Sequence, residues 1–299
     1  MAAVLPGRAV STQSLPTRTP KKVPVVSGAL SERGNNDGTG PFTNPQSALK
    51  TALKTITSDD WQQKVDAMND IERLAAHHPQ DLQMELHSVV LALLPEVRNL
   101  RSSVSRMAIN TLGELFQTFK RHMETDLDLI TKTLLHKSGE NIGFIREDID
   151  NTMRHLVEGV SSQKAALAIV AGGASHRNPA VRKTAAQLLS VTVEKLGSAR
   201  CLTGCKDVAE KVLPATASFV MDCSPLARYY GRKIFFILME HPDFESSLQK
   251  SVSASTIRNI SSILDSIRRK GIGEMPKEGF SANSSKTNLS RSRLLRSKN

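Results

Sequence analysis

Five basic side chains, Lys64, Arg106, Arg146, Arg182 and Arg228, recur along the chain at intervals of about 40 residues. The chemistry open to such a ladder is charge-assisted hydrogen bonding to carboxylates. A cation early in one helix that stacks against a similar helix is read first as a partner for its neighbour's carboxylate, so the ladder marks phase and is not itself a site; Arg228 is read equally as structural or as surface. Trp61, the sole tryptophan, stands at a turn where an indole can anchor a partner, with a capping place in the core as its other reading. Three cysteines, Cys201, Cys205 and Cys223, are too few and too poorly spaced for a disulfide framework and are read as reduced thiols. A metal site built from Cys201, Cys205 and His176 is the alternative, while His77, His78, His136, His155 and His176 show no metal spacing. The sequence contains no GxSxG, no glycine-rich phosphate loop after a strand and no HExxH, so no catalytic residue, metal or cofactor is assigned and an enzyme is not expected.

The elements that would position these residues follow from periodicity. Three positions after each basic residue comes Ala67, Ile109, Ile149, Ala185 or Gly231, and ten positions after comes Leu74, Phe116, Leu156, Thr192 or Leu238. All but Thr192 are apolar or small, and Val193 beside it can take its place. The stretch from Asn178 to Gly197 shows the plan in full: a loop-forming Asn-Pro, an apolar stripe at Ala185, Leu188, Leu189, Val193 and Leu196, and a glycine placed for a left-handed end. A lone helix cannot bury such a stripe, and a period near 40 is that of stacked two-helix hairpins.

The periodicity predicts helices over Gln46 to Ile56, Asp60 to His77, Leu82 to Val97, Ser103 to His122, Asp126 to His136, Phe144 to Glu158, Gln163 to Ala174, Lys206 to Met221 and Leu226 to His241, with a capping hairpin at Phe244 to Lys250 and Ser255 to Lys270. Pro79 and Pro242 close repeats, and Pro95 and Pro214 should bend the first helices that hold them. Five loops then precede five second helices and line up along one edge, which is a binding surface.

The net charge of +11 is confined to the ends. Residues 1–45 hold five basic side chains against two acidic, and residues 268–299 nine against two, which leaves residues 46–267 almost neutral. A folded phosphate-binding surface would need a basic stripe, so no specific nucleic acid is expected as a partner. Residues 1–45 are rich in Pro, Gly, Ser and Thr and are read as a disordered segment, residues 46–270 as the helical domain, and residues 271–299 as a disordered basic tail. No run of about 18 apolar residues exists, which predicts no membrane span, and the N-terminus lacks the apolar stretch of a secretory signal.

The residues at the loops resemble a known family. Trp61 with Lys64 three positions on, LRSSVSRMA at 100–108, FIRE at 144–147 and NPAVRK at 178–183 together look like a TOG domain, of the CLASP and crescerin type, over roughly residues 46–270. The resemblance implies an all-α HEAT-repeat solenoid of about six hairpins; this sequence departs from the family pattern in showing a single such paddle where many relatives carry arrays, and in lacking a dense basic cluster in its third and fourth loops. It also implies that the loop edge binds the tubulin heterodimer or microtubules, without a small-molecule substrate. Carried over by position, the contacts would be Trp61, Arg101, Ser102, Asn141, Phe144, Arg177, Asn178, Pro225 and Arg228. A cytoplasmic, cytoskeletal setting follows from the same resemblance, with the cilium or axoneme from its crescerin side. The alternative is a general helical scaffold that grips another protein or peptide; such a groove binder would carry its distinctive residues on helix faces, whereas here they gather in loops.

Overall fold

The computed structural model describes residues 40–204 and 206–276. The expected disorder of residues 1–39, the thiol of Cys205 and the basic tail beyond Pro276 lie outside the described residues. Those residues form thirteen α-helices and no strand: α1 (Pro45–Thr55), α2 (Trp61–His77), α3 (Pro79–Met84), α4 (Leu86–Val97), α5 (Ser102–Phe119), α6 (Leu127–Lys137), α7 (Gly143–Gly159), α8 (Ser162–Ile169), α9 (Pro179–Leu196), α10 (Lys206–Val220), α11 (Pro225–Leu238), α12 (Phe244–Ser251) and α13 (Ala254–Lys270). A 3₁₀ turn at Lys120–Thr125 and π turns at Val170–Ala174 and Arg200–Gly204 fill connections between them. None of the helices is long and apolar enough to cross a membrane.

The helices stack in two layers, as a HEAT-type solenoid requires. Second helices meet in the order α2, α5, α7, then α9 and α11, while α4, α6, α8, α10 and α12 follow one another in the other layer. Between α7 and α9 direct contact is light, and continuity there passes through α6, α8 and the π turn Val170–Ala174, which packs against both α6 and α9. Gly173 in that turn is buried, and a Cβ on it would stand 2.6 Å from the Ala185 methyl. Only glycine lets the turn approach α9 so closely.

Every residue of the three- and ten-position pattern is buried, Thr192 included. The Thr192 hydroxyl donates to the Leu188 carbonyl at 2.8 Å, so its polar group is satisfied inside the stack and the apolar stripe continues through it. Phe116, Phe219 and Phe235 are the largest fully buried side chains in an otherwise aliphatic core. Burying a phenylalanine of this kind contributes roughly 1.5–3 kcal/mol.

Local chemistry starts the helices at the loop edge. Asp60, Asn178, Ser224 and Ser253 accept hydrogen bonds from the backbone of α2, α9, α11 and α13. Proline at the first turn of α9 and α11 fixes the entry of the chain.

Four expectations need correction. The helix read as Leu82 to Val97 is two, parted at Glu85, and Pro79 opens the first of them instead of closing a repeat. The helix read as running to His122 stops at Phe119, because Lys120 adopts φ 46°, outside helical space. The helix read to Ala174 ends at Ile169, and the glycines expected to end it form the π turn instead. The segment read as disordered to residue 45 is held from Gly40 onward: Phe42 lies under the Arg73 guanidinium at 3.9 Å, and its N–H donates to His78 Nε2 at 2.9 Å. Gly197 does carry positive φ, at 81°.

Candidate binding edge

Parallel second helices bring the loops before α2, α5, α7, α9 and α11 side by side, and a chain of side-chain contacts runs from each loop to the next. At the first junction, Lys64 Nζ lies 2.5 Å from Glu96 Oε1, Asn99 Nδ2 donates to Glu96 Oε2 at 2.8 Å, and Asn99 Oδ1 accepts from the Arg101 N–H at 2.9 Å. The Arg101 guanidinium covers the Trp61 ring at 4.5 Å from its centroid. One face of the indole is thus closed by a cation, and the ring, 38% exposed, offers its remainder to a partner.

The second junction repeats this with different residues. Arg106 makes a two-pronged bond to Asp148, at 2.6 and 3.2 Å, and sits 5.0 Å from the centre of the exposed Phe144 ring. The hydrogen bond to Asp148 and its charge raise the Arg106 pKa. Arg146 donates to Asn141 Oδ1 within its own loop at 3.1 Å.

At the third junction Asn178 caps α9 through Oδ1 and donates from Nδ2 to the Gly139 carbonyl at 3.1 Å, while the His136 and His176 rings meet at a tilt of 48° with centroids 4.6 Å apart. Burial, then the charges of His176, Lys132 and Arg98, lower the pKa of His136. The fourth junction is held by Arg182 on Asp222, at 2.5 and 3.2 Å. Burial pushes the Asp222 carboxyl up, but the bonds from Arg182 and the Ser224 N–H outweigh it and hold the pKa below the usual value. Arg228 turns back to donate to the Asp222 and Cys223 carbonyls at 2.7 and 3.0 Å.

The nine residues expected as contacts all lie along this edge, but they do not serve alike. Trp61, Arg101, Ser102, Asn141, Phe144, Arg177 and Pro225 are exposed. Asn178 and Arg228 are half-buried and committed to their own loops, so their visible role is to shape the edge. The ladder residues Lys64, Arg106 and Arg182 bind carboxylates of the next repeat, as the structural reading of the ladder expects. Tyr229 and Tyr230 are half-buried with edge-on rings 5.5 Å apart.

Three exposed apolar residues on the edge escaped the sequence reading: Leu100, Ile142 and Met221. Leu100 is fully in solvent at 102% relative exposure. Its signal was present, since an isolated leucine between Asn99 and Arg101 in a turn has no helical stripe to join. With Trp61 and Phe144 these three make a row of apolar tips set among arginines.

Two members of the metal alternative stand at opposite ends of α9, and the third, Cys205, lies outside the described residues. Cys201 is buried in the π turn after α9, away from His176 in the loop before it, and burial pushes its thiol up to about 12. Among the described residues no group of three His, Cys, Asp or Glu side chains could hold a metal ion.

Comparison with known proteins bears on this geometry. TOG array regulator of axonemal microtubules protein 1 from Mus musculus is 41% identical over 81% of this chain, and Crescerin-like protein che-12 from Caenorhabditis elegans is 32% identical over 75%. The chain spans only 14% and 18% of the lengths of these two relatives. A solved TOG domain, from work on the specificity of its tubulin binding, superposes with a TM-score of 0.55 at 14% identity, covering 70% of this chain and 88% of that one; at that identity the likeness is one of fold. The profile described as CLASP N terminal matches residues 46–260 and so takes in every loop of the edge. The chain therefore belongs to the CLASP N-terminal family, built on the helical paddle of TOG domains.

Proposed function

We propose that the loop edge binds tubulin, and that the protein takes part in microtubule organisation as a binding module without catalytic activity, in an axonemal or other cytoskeletal setting. The observation that carries this reading is the row of exposed Trp61, Leu100, Ile142, Phe144 and Met221, each in an edge loop or at the helix end that adjoins it, with the rings of Trp61 and Phe144 held against Arg101 and Arg106. Apolar side chains presented on a pre-ordered backbone lose little entropy on binding, and arginines beside them supply directional hydrogen bonds. The names of the relatives support this partner class: axonemal microtubules for the murine protein and tubulin for the solved TOG domain.

Size-exclusion chromatography of the chain with unpolymerised tubulin tests this. Co-elution is expected for the parent, and Trp61→Ala should lower affinity roughly tenfold or more. Co-elution untouched by Trp61→Ala would place the contact elsewhere.

A further inference from the structure

The edge opposite the loops carries the turns that join one hairpin to the next. There the turns after α5, α7 and α9 enclose a cavity of about 450 Å³, lined by Arg121, Lys195, Arg200, Glu158, Ser161 and Ser162 among others. Its charge is unbalanced. Lys195 Nζ donates to the Val157 and Glu158 carbonyls at 2.6 and 3.1 Å, which anchors its ammonium on the C-terminal end of α7. Among the described residues, Arg121 and Arg200 donate no side-chain hydrogen bond and form no ion pair, and Glu158 is bridged to neither. The nearby Glu124 is already engaged, by Lys164 Nζ at 2.8 Å and by the Ser161 N–H at 2.8 Å. Burial raises the Glu124 pKa, but these bonds and the charges of Lys164 and Arg121 bring it below the usual value. The lining itself therefore sets three cations against one carboxylate, Glu158, and among the described residues neither guanidinium is hydrogen-bonded.

The backbone holds these groups in place. Lys120, immediately before Arg121, has φ 46° and ψ −115°, and is the one non-glycine residue with positive φ among the described residues. A conformation of this kind costs on the order of 1–3 kcal/mol and persists only where packing enforces it. Gly159 supplies that packing: a Cβ there would lie 2.9 Å from the Phe116 carbonyl oxygen and 3.5 Å from Lys120 Cα. The N-terminal N–H groups of α8, which begins at Ser162, have no side-chain cap from Ser161.

We infer that this cavity binds a phosphoryl group, in the form of a phosphorylated serine or threonine side chain of a partner peptide. Two guanidinium forks with their hydrogen-bond donors unused match the oxygens of a dianionic tetrahedral group, and each such pair is a strong, directional hydrogen bond. The named lining contains no aromatic ring, so a nucleobase has no stacking surface. The volume lies within the range of about 300–1,000 Å³ typical of ligand sites, leaving room for the residue that carries the phosphoryl group. Nothing in this inference depends on tubulin binding at the other edge.

Titration of the full chain with inorganic phosphate and, separately, with N-acetyl-O-phosphoserine amide, followed by amide NMR shifts at Gly159, Ser161 and Ser162, tests it. Saturable shifts are expected with both probes, at least fivefold tighter for the phosphoserine amide, and at least tenfold weaker in Arg121→Ala/Arg200→Ala. Should that variant unfold, Arg200→Glu alone, on an exposed side chain, gives the same reading. An absence of saturable shifts, or shifts that both variants leave unchanged, would overturn the site. Tighter binding of inorganic phosphate than of the amide would overturn the peptide assignment.

Discussion

Leu100 shows what the edge is built for at the scale of a residue. A leucine at full exposure gains nothing from the folded state, so Leu100→Ala should leave the melting temperature unchanged, within about 0.5 kcal/mol of stability. If the side chain is covered by the partner, its loss should weaken binding roughly tenfold, since burial of a leucine contributes about 1.5–3 kcal/mol. Calorimetric melting paired with affinity for tubulin checks both halves; a fall in melting temperature with no change in affinity would make Leu100 a structural residue. The placement of Trp61 was legible, because a lone indole beside a turn-forming Ser-Asp-Asp run has few places to go. That Arg101 would cover one of its faces was not. That contact depends on how far α2 and α5 are offset, which depends in turn on packing from both layers.

At the scale of the element, the loops are pinned by ion pairs that cross from one repeat to the next. Arg182 and Asp222 give a test by pH. The folded pKa of Asp222 lies below its unfolded value near 3.8, so its contribution is complete above about pH 4 and is lost as pH falls through the folded value. Thermal melts between pH 6 and 3 should show the parent converging on Asp222→Asn at the acid end, after a gap of about 1–3 kcal/mol at neutral pH. A gap constant with pH would mean that the charge of the pair does not stabilise the fold. Gly173→Val should cost about 1–3 kcal/mol in denaturant melts, because α6 and α9 leave no room for a side chain on the π turn. Helices with a plain apolar stripe, such as α9, were readable almost to their ends. The breaks at Glu85, Phe119 and Ile169 were not, since each is imposed by tertiary packing on a segment whose local pattern favours continuing.

At the scale of the whole molecule, two edges of one helical stack carry different chemistry: apolar tips among arginines on one, a cavity with an excess of positive charge on the other. The basic residues that follow α13 in the sequence add a separable contribution, because six cations against two carboxylates in residues 271–299 attract any polyanion at long range. Removing residues 271–299 should flatten the salt dependence of tubulin binding measured between about 50 and 200 mM salt while leaving the dependence on Trp61 intact. An unchanged slope would give that segment another role. The repeat period near 40 residues carried the fold, and the position of the loops within each repeat carried the edge. The opposite cavity was invisible in sequence because Arg121 comes from one repeat and Lys195 and Arg200 from another, with no common spacing. The central claim is that the row of loop tips is what meets the partner, and hydrogen–deuterium exchange of the chain with and without unpolymerised tubulin tests it most directly. Protection is expected at residues 56–61, 98–102, 138–144, 175–178 and 221–225, with none at the turns after α5, α7 and α9. Protection confined to those opposite turns, or spread along the helix faces between the edges, would contradict it.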